Sequence, residues 1–173
     1  MKPRVAFYVF SSFLSKVALL PRFFDRGDIM ALDLFTPEVF FNTSMTSFSI
    51  INSYSTKGRS NNSRLVPSDL IFPCQPCPSL TLGDLNIDHP TADPLRRFKE
   101  DKISTSVPYF DTATERGFFL LNIPEVYTSF SMSQIGRPGV IDLAFACPLL
   151  ISPILRNGPT HCPPLAQILS PFS

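Results

Sequence analysis

Residues 81–90 read TLGDLNIDHP, a strand-like run that gives way to closely spaced polar side chains. An apolar, β-prone run leads into Gly83, after which Asp84 and Asn86 follow at alternating positions. Alternating side chains of an extended chain point to the same side, so a strand that ends here presents a carboxylate and a carboxamide together. Such oxygen ligands hold a divalent ion beside a phosphate oxygen. The alternative is a strand that runs into a plain Asx turn.

Composition indicates a single globular domain and excludes several other classes. The chain has 173 residues, is 44% hydrophobic and carries a net charge of +1, which argues neither for nor against a nucleic-acid partner. Serines and a lysine interrupt the longest apolar run, residues 5–20, which is too polar to span a membrane. No signal-peptide cleavage site follows it, so we expect a nuclear or cytoplasmic protein that is not secreted. The four cysteines lack the paired spacing of a zinc site.

Hydrophobic patterning predicts short strands with a few helices between them. A helix is expected over residues 106–116, ended by Gly117, and a short helix or irregular segment over 68–74. A turn is expected at 36–38. This alternation predicts an α/β (α+β) class with helices outside mixed sheets. The predicted strands are residues 4–10, 28–35, 47–55, 79–83, 118–122, 127–130 and 140–146.

Four polar side chains at strand ends form a chemically sensible set. Asp142 interrupts an apolar strand, where a carboxylate is costly unless it is paired or bound; the alternative is an acid that caps a neighbouring backbone. Tyr54 ends another strand and is either core packing or a donor to a developing oxyanion. Asp84 can orient or deprotonate a water, and Asn86 can hold a phosphate oxygen. Together they predict metal-assisted phosphodiester hydrolysis, with Asp142 orienting a histidine or the water shell of the metal.

Three stretches, INSY at 51–54, GDLN at 83–86 and VIDLAF at 140–145, resemble three ordered motifs of the endonuclease/exonuclease/phosphatase superfamily. The resemblance covers residues 3–150 and is strongest to the endonuclease domain of fungal non-long-terminal-repeat retrotransposons. It implies a four-layered sandwich of two mixed β-sheets with helices outside. It also implies Mg²⁺ as the cofactor and DNA, which such domains nick, as the partner.

The same resemblance implies a role for each matched residue. Tyr54 corresponds to a tyrosine that contacts phosphate. Asp84 and Asn86 correspond to the central motif and would be the metal ligands. Asp142 corresponds to the acid that supports the catalytic histidine, and Asp88 stands where relatives often have a histidine.

Two departures from the family pattern lead us to expect a truncated domain over residues 1–150. The asparagine and the metal-binding glutamate of the family's opening strands find no counterpart before Val5, and the closing Ser-Asp-His tripeptide is absent. His161 is the only late histidine. Residues 151–173 form a divergent, proline-rich tail. Codons compatible with 154–168, read one base earlier, can encode Trp-Ala-Asp-Pro from position 158. We therefore hypothesise a frameshift near residue 151, the alternative being a genuine tail.

The resulting functional prediction is the remnant of a retrotransposon endonuclease domain, impaired or inactive in this chain. The catalytic set would be Tyr54, Asp84, Asn86 and Asp142. A non-catalytic nucleic-acid-binding fragment is the alternative, and a relative acting on phosphoinositides is a weaker one. The candidate phosphate contacts for nucleic-acid binding are Arg59, Arg64, Arg96, Arg97 and Lys99.

Overall fold

The structure is a computed structural model that describes most of the first 150 residues. The described residues are 4–14, 17–23, 25–40, 45–55, 65–74, 78–87, 89–94, 100–123, 126–128, 140 and 142–150.

The described part of the chain contains six strands and three helices, and residues 148–150 are also helical. The helices are α1 (Ser11–Leu14), α2 (Ser68–Ile71) and α3 (Glu100–Glu115). The strands are β1 (Ala18–Arg22), β2 (Ile29–Phe40), β3 (Met45–Tyr54), β4 (Ser79–Asp84), β5 (Phe119–Leu120) and β6 (Asp142–Ala146).

The six strands form one mixed sheet in the order β1-β2-β3-β4-β6-β5. β3 and β4 are parallel, whereas the other neighbours are antiparallel. A parallel pair needs a crossover connection, and α2 lies in the segment that makes it. The α+β class and the mixed sheet predicted from the sequence are confirmed. Within the described ranges there is one sheet, whereas the resemblance implied two.

Several boundaries predicted from the sequence are wrong. The strand expected over residues 4–10 has no regular structure, and the segment leads into α1. β2 continues through the turn expected at 36–38, with an irregularity in its pairing between Phe35 and Phe40. α3 begins at Glu100 rather than residue 106 and contains Pro108. Residues 127–128 of the strand expected at 127–130 are not a strand, and 129–130 lie outside the described residues.

Proline explains why β1 was not recognised as a strand. Pro21 lies within β1, which is the outermost strand of the sheet and pairs only with β2. An edge strand needs hydrogen-bond donors on one side only, so the missing N–H of proline is tolerated there.

One face of the sheet packs against α2 and α3. The Phe145 ring on β6 meets the rings of Phe72 and Phe110 edge to face, with centroids 5.0 and 5.7 Å away. The buried Thr81 hydroxyl on β4 donates to the Ile71 carbonyl at the end of α2, at 2.7 Å. Successive residues of a strand point to opposite faces of the sheet. Alternate residues of each strand therefore face the helices, and the residues between them lie on the second face. No described helix is long and apolar enough to cross a membrane.

Candidate functional site

Three of the four candidate residues form one row across the sheet. β3 and β4 pair Tyr54 with Asp84, and β4 and β6 pair Asp84 with Asp142. Residues paired directly across strands place their side chains on the same face. In an antiparallel pair their Cα atoms lie about 4.5–5.5 Å apart. Tyr54, Asp84 and Asp142, called here the end row, therefore lie side by side on the face opposite α2 and α3.

The end row brings two carboxylates together. Like charges directly opposite each other on neighbouring strands are destabilising, and a bound cation would relieve such a repulsion between Asp84 and Asp142. Asp142 is partly open to solvent, yet partial burial of its carboxyl raises its pKa above the ordinary value. A hydrogen bond with Thr128 opposes that shift. Desolvation of the charged form is thus the larger effect at Asp142.

Gly83 brings the end of β4 unusually close to β3. Its φ is +149°, and a Cβ added there would lie 1.9 Å from the backbone oxygen of Ser53. Backbone atoms of Ser53 occupy the space that any side chain would need. The glycine of the central motif is therefore required by the packing of the two strands that carry Tyr54 and Asp84.

Asn86 ties the end of β4 to the end of β3. Its φ is +50°, which asparagine tolerates better than most residues. Its backbone N–H donates to Asp84 Oδ1 at 3.2 Å, and its Nδ2 donates to the Ser55 carbonyl at 2.8 Å. The Ser55 N–H donates back to the Asp84 carbonyl at 2.8 Å. The strand thus ends in an Asx turn, the alternative drawn from the sequence, and the same turn holds Asn86 beside the end row.

The loop after β4 is anchored by its apolar residues. Leu85 and Ile87, on either side of Asn86, are buried in the hydrophobic core. Burying both neighbours fixes the backbone between them, and the carboxamide of Asn86 remains only partly buried. The Nδ2 atom of Asn86 donates to the Ser55 carbonyl. Oδ1 of the same carboxamide is the atom that can bind a cation.

Arg4 contacts the end row, although no sequence pattern points to it. Its guanidinium carbon lies 5.6 Å from the centroid of the Tyr54 ring, within the range of a cation–π contact. Its backbone N–H donates to the Gly27 carbonyl at 2.8 Å, which holds the segment before α1 against the start of β2. Arg4 thus adds a positive charge at one end of the row. Arg59, Arg64, Arg96, Arg97, Lys99 and Asp88 lie outside the described residues.

The donor set at the end row suits a hard divalent ion only in part. Within the described ranges, no three His, Cys, Asp or Glu side chains lie together as a ready metal site. Mg²⁺, however, keeps several waters and is held by one or two carboxylates together with substrate phosphates. Two opposed carboxylates and a neighbouring carboxamide oxygen fit that description. Asp84 and Asn86, the ligands predicted from the sequence, lie next to each other at the end of β4.

His89 follows the Asx turn and stacks flat on α3. Its ring lies 3.7 Å from the centroid of Phe110, with 11° between the planes. Its Nδ1 accepts a hydrogen bond from the Thr91 N–H at 3.2 Å, which requires that nitrogen to be unprotonated. Desolvation lowers the pKa of His89, and the charge of Asp111 opposes the shift.

Acidification is expected to destabilise the protein through His89. Because folding lowers its pKa, the unfolded chain binds the proton more readily below about pH 6.5. The stability contributed by neutral His89 is complete above that pH and is lost as the pH falls through the folded-state pKa. Thermal melts between pH 5 and 8 should show this loss. His89→Asn, which can keep the acceptor for Thr91, should weaken the dependence, whereas His161→Asn should leave it intact. Equal curves for wild type and His89→Asn would contradict the assignment.

Comparison with solved structures finds a match for the fold. The chain is similar to the endonuclease domain of TRAS1, a telomere-specific non-LTR retrotransposon, with a TM-score of 0.52 and 12% sequence identity. The chain therefore shares the α+β fold of that domain. The match covers 78% of this chain and 58% of the TRAS1 chain, so this chain spans less than two thirds of that domain's length. At this identity the likeness concerns the fold alone. No family model and no curated protein matches the sequence.

Proposed function

We propose that this chain is part of a retrotransposon-type endonuclease domain whose end row acts on DNA phosphodiesters with the help of Mg²⁺. One observation carries the proposal: the register of β3, β4 and β6 aligns Tyr54, Asp84 and Asp142. The endonuclease fold supports it, because the candidate residues lie together at the ends of neighbouring strands of that fold.

Each side chain has a role in the proposed reaction that its position allows. Asp84 orients the attacking water and accepts its proton as the water oxygen bonds to phosphorus. The P–O bond to the leaving sugar oxygen breaks, and that oxygen takes up a proton from solvent. The Tyr54 hydroxyl donates to the phosphoryl oxygen on which charge develops. Asp84 and Asn86 would hold the metal ion, which when bound supplies Lewis-acid polarisation of the phosphate. Asp142 adds negative charge beside Asp84 and favours a cation there. Arg4 attracts the DNA backbone toward Tyr54.

We further propose that cleavage by this chain alone is slow. No histidine belongs to the end row in the described part of the chain, since His89 stacks on α3 through Phe110. The row therefore has two carboxylates and a tyrosine but no group that is a strong proton acceptor near neutral pH. Loss of one partner that stabilises the transition state typically slows an enzyme by about 10²- to 10³-fold.

Nicking of supercoiled plasmid in Mg²⁺ tests the proposal, with the TRAS1 endonuclease domain assayed in parallel. We expect nicking at least about 100-fold slower than that domain. We also expect the slow activity to fall to background in Asp84→Ala. The matched control is Asp111→Ala, because Asp111 is an exposed carboxylate on α3, on the other side of the sheet. It should nick like the wild type.

Other results would separate the parts of the proposal. Nicking as fast as the TRAS1 domain would refute the impairment but not the site. Activity that survives in Asp84→Ala would refute the site. A salt-dependent mobility shift on DNA that also survives in Asp84→Ala, without any nicking, would favour the non-catalytic nucleic-acid-binding fragment.

A further inference from the structure

The pairing of β6 with its outer neighbour, β5, stops short of the end row. β5 pairs only Phe119 and Leu120 with β6, and Leu121 adds one last bond from its N–H to the Ala144 carbonyl at 2.8 Å. The backbone groups of Asp142 that face the β5 side lie beyond this point. Without partners such groups leave a strand end free to fray, because nothing fixes the chain on that side.

The side chain of Asn122 takes the place of the missing strand. Its Oδ1 accepts a hydrogen bond from the Ala144 N–H at 2.8 Å, and its Nδ2 donates to the Asp142 carbonyl at 2.8 Å. A carboxamide offers the same donor and acceptor as a peptide unit. Asn122 therefore continues the ladder of β6 by one step after the backbone of β5 has turned away.

Thr128 binds the next backbone group of β6, the N–H of Asp142. Its Oγ1 accepts a hydrogen bond from the Asp142 N–H at 3.0 Å, and it also bonds the Asp142 carboxyl. A hydroxyl can accept from one group while it donates to another. The N–H and the carbonyl of Asp142 are thus both bound by side chains, and the carboxyl is bound by one of the same two residues.

We propose that Asn122 and Thr128 are positioning residues that hold Asp142 in register beside Asp84. Asn122 fixes the backbone, and Thr128 fixes both the backbone and the rotamer of the carboxyl. This inference rests on the proposed function only for its consequence, because a correctly held Asp142 is needed for cleavage if the end row is the site. The placement of Asp142 itself is independent of whether DNA is cleaved.

Amide hydrogen exchange and side-chain couplings measured by NMR test the placement. In Asn122→Ala the Ala144 amide should exchange about 2- to 10-fold faster, as expected for one lost hydrogen bond. Asn122→Asp keeps the acceptor and should preserve that protection. In Thr128→Val the Asp142 amide should exchange faster and the Asp142 χ1 rotamer should become averaged. Thr128→Ser should restore both. Asn52→Ala is the control, because Asn52 lies on β3, which β4 separates from β6, and its side chain donates to the Ala6 carbonyl at 3.4 Å.

Plasmid nicking supplies the second readout. Where the wild type nicks, Asn122→Ala and Thr128→Val should lower kcat by about tenfold with KM for DNA unchanged, and Thr128→Ser should recover most of it. Unchanged exchange and an unchanged Asp142 rotamer in both variants would overturn the inference. Faster exchange with unaltered kcat would overturn it too, since the two residues would then be merely structural. If the wild type does not nick, the proposed function fails, and the Asp142 rotamer in Thr128→Val still decides the placement.

Discussion

Gly83→Ala is expected to unfold a large fraction of the protein. The new Cβ would lie 1.9 Å from the Ser53 oxygen and 2.8 Å from the Ser53 carbonyl carbon and nitrogen. These are backbone atoms of a central strand, so neither side can move without separating β3 from β4. Strain and overpacking each cost about 1–3 kcal/mol, and together they approach the total stability of a small domain. Urea denaturation monitored by circular dichroism would measure the loss.

The matched control is Gly117→Ala at the end of α3. Gly117 also has a positive φ, +70°, but its added Cβ meets only the side chain of Pro148, at 3.1 Å. The left-handed conformation costs an alanine about 1–2 kcal/mol, and the proline ring can shift. Gly117→Ala should therefore melt cooperatively at a moderately lower temperature. Equal losses for the two variants would show that backbone conformation, and not the approach of β3 to β4, decides the cost at Gly83.

Phe145→Ala is expected to be the second severe change, with a loss of about 3–5 kcal/mol. Phe145 is 2% exposed and is the aromatic side chain that joins β6 to α2 and α3 through Phe72 and Phe110. Its removal leaves a cavity between the sheet and both helices. The effect should reach the end row, because the same short strand carries Asp142. We expect a lower unfolding midpoint in urea and faster exchange of the Asp142 amide.

Phe119→Ala is the control for Phe145→Ala. Phe119 lies on the neighbouring strand and pairs with Ala146, but its side chain is 52% exposed. Truncation there removes little buried surface, so the expected loss is below about 1 kcal/mol. A loss at Phe119 as large as that at Phe145 would mean that β5, and not the aromatic contact with the helices, stabilises β6.

The strands that carry the candidate site could be predicted because they have strong local signals. The strands carrying Tyr54, Asp84 and Asp142 were predicted within a few residues of their observed bounds, since β-branched and aromatic runs bounded by turn residues indicate a strand. The end of α3 was also predicted, because Gly117 has the positive φ with which helices often end. The start of α3 was missed because Pro108 suggested a helix start, whereas the helix begins earlier, at Glu100.

Other parts depend on contacts between distant residues. Residues 4–10 have a strand-like sequence but no regular structure, and they contact β3 through the bond from Asn52 to Ala6. β1 is a strand despite Pro21 because it happens to be at the edge of the sheet. Arg4 lies beside Tyr54, and Asn122 beside Asp142, with no local pattern to indicate either contact.

By itself the sequence determined the type and approximate place of most elements and which polar side chains end the strands, because these depend on neighbours a few residues away. Only the tertiary structure decided which strand ends meet, how close β3 and β4 come at Gly83, and which side chains complete the pairing of β6. The physical reason is that strand register and the hydrogen bonds beyond a strand's end are set between segments far apart in the chain. Their energies do not depend on the local sequence alone.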